Sequence, residues 1–316
     1  MMMTKIKEFF SKSTDARNYT IGFSAFIIVL LLAILTQDGT PYNPTALDLG
    51  FAQVQWYAVF ILTGLSIGAF LAHEEFKRVG WNTDLLFDAL LWAVPLSIVG
   101  SRLYYVIFDP NPNYDSFMDV INITNGGLSI HGAVITAFTF VFFFTRKKKI
   151  SFWLLTDILA IGFLVGQIVG RWGNFMNQEA YGPQIQSEFI LSLLPAFIED
   201  QMVIGGIIHH PTYLYEGLWN FAGLIFLLVA RRKRWFKVGD MMGLYLIWYG
   251  LGRGAIIEPL RTGGDPGDAL RMFGLPTNVI LSLTLFMLGG VALIVAKHYL
   301  IKDQKYYKDM LVADHD

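Results

Sequence analysis

The sequence predicts an all-α polytopic membrane protein, a bundle of about eight transmembrane helices with a small extracytoplasmic segment and an outward-facing polar cavity. Of the 316 residues, 54% are hydrophobic and only 16% are charged, whereas an ordinary soluble domain has roughly 25% charged residues. The apolar residues fall in runs of about the length that crosses ~30 Å of hydrocarbon. Short polar loops separate these runs, as expected for an integral membrane protein.

The first apolar run, 21–35, follows a polar leader that carries four basic residues. No small-x-small cleavage pattern follows Leu35, so we interpret the run as an uncleaved signal anchor. The other apolar runs are 51–72, 85–107, 127–144, 152–170, 213–230, 241–257 and 277–296. We therefore predict an N-terminal leader with a signal-anchor helix over 1–44, a membrane domain over 45–298 and a cytoplasmic tail over 299–316.

The loops predict the orientation, because short cytoplasmic loops are enriched in Lys and Arg. Basic clusters follow the second, fourth, sixth and eighth apolar runs, at 77–78, 146–149, 231–237 and 297–308. Each cluster lies an even number of runs from the basic N-terminus. Both termini are therefore expected in the cytoplasm, and the polar loops between the clusters outside.

The predicted outer loops differ from the basic ones in composition. Residues 108–125 and 258–275 are rich in Gly, Pro, Asn and Asp, which is typical of turns. The longest outer piece is an insert over about 171–212, which contains a short apolar subsegment from Phe189 to Ile198. This subsegment is too short to span a bilayer, so we expect it to lie on the membrane surface or to pack as a lid.

The stretch at 170–182 places many polar side chains where a membrane helix should end. Arg171, Asn174 and Asn177 recur every three residues and share one helix face. A separate stripe of Gly162, Gly166 and Gly170 favours the close approach of a neighbouring helix. A single arginine is often an interfacial anchor, but this group of polar residues is more typical of a functional site.

Further polar residues fall in the outer half of other spans, and Tyr245, Tyr249 and Arg253 recur every four residues on one face. The others are Tyr57, Arg102, His131, Tyr215 and Glu216. Individually they also fit structural roles, such as an aromatic belt, a core histidine or an anchoring arginine. Together, three arginines without an obvious matching number of acids predict an anionic ligand, most simply a phospholipid headgroup.

These residues carry a family resemblance. The stretch Gly-Arg-x-Gly-Asn-Phe-x-Asn-x-Glu-x-x-Gly at 170–182 resembles the signature of bacterial prolipoprotein diacylglyceryl transferases. The similarity extends in order over about 45–298 and leaves out the first helix. It runs through Gln55-Trp56-Tyr57, Gly100-Ser101-Arg102, Ser129-Ile130-His131-Gly132, Leu214-Tyr215-Glu216 and Tyr249-Gly250 with Arg253.

The resemblance implies transfer of the diacylglyceryl group of phosphatidylglycerol to the lipobox cysteine of preprolipoproteins, with release of glycerol phosphate. It implies a bacterial plasma-membrane location, an active site on the outer side, and preprolipoprotein signal peptides and membrane lipid as partners. No nucleic acid, metal or cofactor is expected. The chain contains no cysteine, which is consistent with an attacking thiol that belongs to the substrate.

The resemblance also assigns site residues by position. The expected catalytic residues are Arg253, His131, Tyr249 and Tyr57. The expected phosphatidylglycerol-binding residues are Arg171, Asn174, Glu179, Gly182 and Arg102. Further candidates are Asn177, Glu216, Glu258 and Arg261.

Two positions depart from the family pattern. The family's His-Gly-Gly is His131-Gly132-Ala133 here, and the late Arg-to-Glu spacing of four becomes five, from Arg253 to Glu258. Five residues turn a carboxylate away from the arginine's face of an α-helix, unless a π-bulge restores the shared face.

An alternative function is a lipid or anion transporter with an outward-facing arginine-lined cavity, although no repeated halves are visible. A purely structural scaffold would leave the polar layer unexplained.

Overall fold

In the computed structural model the described residues are 14–50, 53–109, 114, 116–123, 126–262, 271–272 and 275–312. The first half contains α1 (Thr14–Leu35), β1 (Thr45–Asp48), β2 (Gln53–Gln55), α2 (Trp56–Arg78), α3 (Asp84–Ile107), α4 (Phe117–Ile121) and α5 (Ile130–Lys148). The signature helix α6 (Phe152–Asn177) follows, then α7 (Glu188–Leu193), α8 (Ala196–Gln201), β3 (Val203–Ile204) and β4 (Ile207–Ile208).

The rest of the chain is again mainly helical. It contains α9 (Thr212–Arg231), then α10 (Asp240–Leu251), which continues through a π-helical segment (Gly252–Ile257) into α11 (Glu258–Thr262). A short hairpin of β5 (Arg271–Met272) and β6 (Leu275–Pro276) comes next. The last helix begins as α12 (Thr277–Leu281), continues through a second π-helical segment (Ser282–Leu288) and ends as α13 (Gly289–Leu300), before a 3₁₀ turn (Tyr307–Met310).

The chain divides into two compact units. The larger unit contains residues 1–75 and 156–311, and the smaller unit contains residues 76–155 and 312–316. The signature helix, α9 and α10 therefore lie in the larger unit, while α3, α4 and α5 lie in the smaller one.

Among the described residues, six helices are long and apolar enough to cross a membrane, which agrees with a multi-pass membrane protein. They are Arg17–Leu35, Trp56–Arg78, Asp84–Ile107, Phe152–Asn177, Thr212–Arg231 and Val279–Leu300. The structure also has helices at the other two predicted spans, α5 and the α10–α11 helix. That these two also cross the membrane, giving eight spans, stays a prediction, as does the outward-facing cavity.

The glycine stripe on α6 lies where a neighbouring helix approaches closely, as predicted for Gly162 and Gly166. A Cβ built on Gly64 of α2 would lie 3.2 Å from the Cα atom of Gly166, and one on Gly68 would lie 3.6 Å from that of Gly162. A Cβ built on Gly162, Gly166 or Gly170 would itself meet no described atom within 4 Å. The close approach at the stripe is therefore as expected, while the positions where an added Cβ would collide lie on α2.

The N-terminal helix α1 packs within the larger unit through aromatic contacts. The ring of Phe26, which is buried, lies 6.1 Å from the ring of Trp172 on α6. The Phe23 ring lies 5.9 Å from that of Phe221 on α9. Helix α1 therefore packs against the signature helix and α9.

Two acidic residues in the predicted inner half of the spans make local contacts. In the smaller unit, Asp88 forms an ion pair with Lys148 at 2.7 Å. In the larger unit, Asp157 accepts hydrogen bonds from the backbone amides of Gly239, at 2.5 Å, and Met242, at 3.0 Å. Asp157 therefore satisfies free N–H groups at the start of α10 instead of pairing with a basic side chain.

Candidate active site

The end of the signature helix holds a chain of hydrogen bonds between its predicted site residues. The guanidinium of Arg171 donates to the side-chain oxygen of Asn174 at 3.3 Å. The amide of Asn174 donates to the carboxylate of Glu179 at 2.9 Å, and the amide of Asn177 donates to the same oxygen at 3.3 Å. Arg171, Asn174 and Asn177 therefore share one face, as their spacing predicts, and Glu179 closes the group from the following turn.

Glu216 lies between the two arginines of the predicted site. Its carboxylate accepts a hydrogen bond from Nη1 of Arg253 at 3.1 Å. Its other oxygen lies 2.7 Å from Nη2 of Arg171, an ion pair without the angle of a hydrogen bond. Only 3% of Glu216 is exposed, so these guanidinium groups supply the counter-charge that a buried carboxylate requires.

A π-helical segment compensates for the five-residue spacing between Arg253 and Glu258. The segment covers Gly252–Ile257, and the backbone N–H of Glu258 donates to the carbonyl of Arg253, five residues earlier. Nη2 of Arg253 lies 3.0 Å from the Glu258 carboxylate. The wider π turn therefore brings Arg253 and Glu258 together. This is the π-bulge that the five-residue spacing required for Glu258 to face Arg253.

The arginines of the predicted site are partly matched by acids. Arg261 also contacts Glu258, at 3.5 Å, so three guanidinium groups (Arg171, Arg253 and Arg261) share two buried carboxylates (Glu216 and Glu258). This five-residue set, the arginine–glutamate network, has a formal charge of +1. It does not include Glu179, whose partners are the amides of Asn174 and Asn177. The acids fix the orientation of the guanidinium planes, and the surplus charge still favours an anion.

Aromatic residues pack around this network within the larger unit. The Tyr57 ring packs against Gly173, where an added Cβ would lie 3.0 Å from the ring atoms Cγ and Cε2 and closer still to Cδ2. The Tyr249 ring stacks on that of Tyr245, with 6.1 Å between centroids. The Tyr245 hydroxyl in turn accepts a hydrogen bond from Gln167 at 2.9 Å. Tyr245 and Tyr249 therefore share a face, as their spacing predicts.

The turn after the signature helix is held by the outer segment. The backbone N–H of Gly182 donates to the carbonyl of His210 at 2.9 Å. A Cβ on Gly182 would lie 2.9 Å from that of His210, so this close approach requires glycine. Burial, and then the neighbouring His209, lower the pKa of His210, so its ring is mainly neutral at pH 7. Its Nδ1 lies 3.0 Å from the Tyr215 hydroxyl. In a neutral ring this nitrogen can accept a hydrogen bond from the hydroxyl.

Two predicted site residues lie in the smaller unit. The guanidinium of Arg102 donates to the backbone carbonyls of Asp119, Val120, Gly126 and Gly127, at 2.7 to 3.2 Å. Arg102 thus holds the end of α4 together with Gly126 and Gly127, and a role in binding the headgroup stays a prediction. The ring of His131 is exposed and stacks on Tyr104, with 6.0 Å between centroids. A catalytic role for His131 also stays a prediction.

The sequence did not point to two glutamines that support this site, Gln167 and Gln201, whereas Gln178 belongs to the polar stretch at 170–182 that it did indicate. Gln167 lies on α6 within an apolar run, and Gln178 and Gln201 belong to the outer segment. Their partners are distant in sequence or are backbone groups, which no local spacing reveals. A polar Gln167 one turn before Arg171 was the single available signal. Among the described residues, no group of three or more His, Asp or Glu side chains is arranged to hold a metal ion.

Comparisons with known proteins identify the family. A family model described as prolipoprotein diacylglyceryl transferase matches residues 44–295. A phosphatidylglycerol–prolipoprotein diacylglyceryl transferase of Bacillus mycoides (strain KBAB4) is 42% identical over 265 residues, which cover 84% of this chain and 96% of that protein. One of Bacillus cereus (strain B4264) is 42% identical over 281 residues, which cover 89% of this chain and 100% of that protein. The chain therefore belongs to the prolipoprotein diacylglyceryl transferase family.

Proposed function

We propose that this protein transfers the diacylglyceryl group of phosphatidylglycerol to the lipobox cysteine of a preprolipoprotein. The observation that carries the proposal is the arginine–glutamate network: a cationic, largely buried group of fixed guanidinium planes on membrane helices. Its surplus positive charge suits a phosphate ester. Family membership and the names of the relatives support the same substrates.

In the proposed reaction, the cysteine thiolate attacks the glyceryl carbon that carries the phosphate ester. A carbon–sulfur bond forms, the carbon–oxygen bond to phosphate breaks, and glycerol phosphate leaves with the electron pair. The barrier therefore includes formation of the thiolate and stabilisation of charge on the leaving phosphate. Guanidinium groups favour both steps, since nearby cations lower a thiol pKa and stabilise a departing anion.

The proposed roles follow from the position of each arginine in the network. Arg253 contacts both Glu216 and Glu258, so its plane is fixed, and we assign it to the reacting phosphate with Tyr249 one turn below it. Arg171 is held by one buried acid, and about a fifth of its side chain is exposed. We assign Arg171 and Asn174 to the headgroup on the other side of the same phosphate, and Arg261 to the same anionic region.

The remaining assignments depend on hydrogen-bonding capacity. A carboxylate repels phosphate but accepts hydrogen bonds from hydroxyl groups, so we assign Glu179 to the headgroup glycerol. Gly182 and Asn177 hold the turn that carries Glu179. Tyr57 packs on Gly173 beside Asn174, and we place it against the substrate. We assign His131 to orienting the cysteine or accepting its proton, and Arg102 to holding the end of α4 or to the headgroup.

We also propose the orientation and the domain boundaries. Both termini lie in the cytoplasm and the site faces outside, because every basic cluster falls on the side of the N-terminus. Residues 45–298 form the transferase domain, preceded by the signal-anchor helix and followed by a cytoplasmic tail. This orientation places the site where secreted preprolipoproteins emerge, with their signal peptides still in the membrane.

The test is transfer by the purified protein in detergent micelles that contain phosphatidylglycerol and a lipobox peptide. We expect a peptide mass increase equal to one diacylglyceryl group and release of glycerol phosphate in equal amount. A peptide with serine in place of the cysteine is the matched control. Unmodified cysteine peptide with a well-folded protein would contradict the proposal. The transporter alternative is then tested by lipid or anion flux into liposomes that contain the protein.

A further inference from the structure

Gln201 at the end of α8 is a fully buried polar side chain, with 0% of the residue exposed. Its amide nitrogen donates to the carbonyls of Phe175 at 3.0 Å and Met176 at 3.4 Å. Its amide oxygen accepts a hydrogen bond from the backbone N–H of Tyr42 at 2.8 Å. One side chain therefore satisfies the last turn of the signature helix and the segment that follows α1.

This position requires a glutamine on chemical grounds. The last carbonyls of a helix have no partner within the helix, and a buried carbonyl without a partner costs about 1–3 kcal/mol. An amide supplies the two donors and the one acceptor that the three backbone groups require. Methionine has a similar shape but supplies none of them, and a carboxylate would face the two carbonyls with its own negative charge.

The same residue also holds the turn that carries Glu179. The backbone carbonyl of Gln201 accepts a hydrogen bond from the side chain of Gln178 at 2.7 Å. Gln178 and Ala180, on either side of Glu179, have left-handed backbone angles, with φ of 50° and 56°. Such angles are unfavourable for residues other than glycine and persist when neighbouring groups fix them. The Thr212 hydroxyl donates to the Ala180 carbonyl on the other side of the turn.

We propose that Gln201 and Gln178 are positioning residues for phosphatidylglycerol. They hold the end of α6 and the turn after it, so that Asn174 and Glu179 keep the arrangement that receives the headgroup. The inference depends on the proposed function, because it assigns Asn174 and Glu179 to the headgroup. The outer segment thus takes part in substrate binding through α8, without contact between Gln201 and the lipid.

The first test is Gln201→Glu, measured from pH 5.5 to 9 against wild type. Burial and the two facing carbonyls raise the pKa of the introduced carboxyl. Below that pKa the acid still donates one hydrogen bond, and above it the carboxylate donates none. We therefore expect kcat/KM relative to wild type to fall by about tenfold or more as pH rises. Gln53→Glu is the matched control, because Gln53 is exposed on β2, and its ratio should stay flat.

The second test separates positioning from a general loss of folded protein. Fewer folded molecules would lower kcat and leave KM unchanged. We expect Gln178→Ala, at a half-buried position that should tolerate the change, to raise the KM for phosphatidylglycerol several-fold. The KM for the lipobox peptide should stay within about twofold.

The results have distinct meanings. A pH-independent ratio for Gln201→Glu, or a Gln178→Ala defect confined to kcat, would overturn the positioning role while wild type still transfers lipid. If Gln201→Glu does not accumulate in the membrane, the Gln178→Ala measurement decides alone. Absence of transfer by folded wild type would instead contradict the proposed function, and with it the assignment of Asn174 and Glu179.

Discussion

The contact between Gly173 and Tyr57 gives the sharpest test of the site geometry. In Gly173→Ala, the new Cβ would lie 3.0 Å from two Tyr57 ring carbons and nearer to a third. Carbon atoms in favourable contact are about 3.5–4.0 Å apart. The ring must therefore move by more than about 0.5 Å, or α2 must shift away from α6.

The expected size of the effect follows from this displacement. Overpacking of this kind typically costs about 1–3 kcal/mol of stability, which a folded membrane protein usually survives. A displacement of about 1 Å at a reacting group can cost roughly 10²-fold in rate. We therefore expect Gly173→Ala to accumulate in the membrane while its transfer rate falls by roughly tenfold or more.

The assay is the transfer of phosphatidylglycerol to a lipobox peptide by equal amounts of purified variants. Gly162→Ala is the matched control on the same helix, because its new Cβ would meet no described atom within 4 Å. We expect this control to keep the wild-type rate and to gain slightly in stability, as alanine usually does in a helix. A normal rate in Gly173→Ala would refute the argument that the position of Tyr57 on this helix matters.

Three further predictions concern the arginines and the orientation. Arg253→Lys keeps the charge but loses the planar fork that bridges Glu216 and Glu258, so transfer should fall by about 100-fold. Arg171→Ala should lose most transfer yet accumulate, because Arg253 still compensates the buried Glu216. A reporter that is active only outside the cytoplasm should stay silent when fused after Asp316, and a control fusion after Leu35 should be active.

Each of these predictions has a contrary result. Near-normal turnover by Arg253→Lys would show that a point charge is sufficient at that position. Failure of Arg171→Ala to accumulate would indicate that this arginine mainly stabilises the helix end. An active reporter after Asp316 would mean an odd number of spans and a site on the other side of the membrane.

The sequence predicted most of the helices, because an apolar run of membrane length has few alternatives to a helix. Helices are present at all eight predicted positions, and six satisfy the criterion for a span. The apolar run of the signature helix ends near 170, but the shared face of Arg171, Asn174 and Asn177 indicated that the helix continues, and it does so to Asn177. Its polar residues there pair with one another and with Glu216.

The site was predictable where it depends on local spacing. Arg171, Asn174 and Asn177 are connected through Glu179, as a shared helix face suggests. The roles of Glu216 and Gln201 depend instead on contacts between residues far apart in the chain. Glu216 pairs with two arginines 45 and 37 positions away, which no local periodicity encodes. Such long-range pairs also explain why the arginines seemed unmatched in the sequence.

The π-helical segment leads to a last prediction. Arg253 and Glu258 are five residues apart, and the segment between them brings the two side chains to 3.0 Å. Deletion of Ala255, which is exposed, would restore the spacing of four that the family resemblance implies. An ordinary α-helix places residues four apart on one face, so the ion pair should re-form without the π turn.

We expect the Ala255 deletion to keep at least about a tenth of the wild-type transfer rate. Deletion of Trp248, seven residues earlier, is a poor comparison because that side chain packs on Trp219. Deletion of Leu251 is the better control, since Leu251 is exposed but precedes both members of the pair. That deletion rotates Arg253 and Glu258 together relative to Tyr249 and should abolish transfer. Equal loss in both deletions would show that the Arg253–Glu258 spacing is not what the π-helical segment preserves.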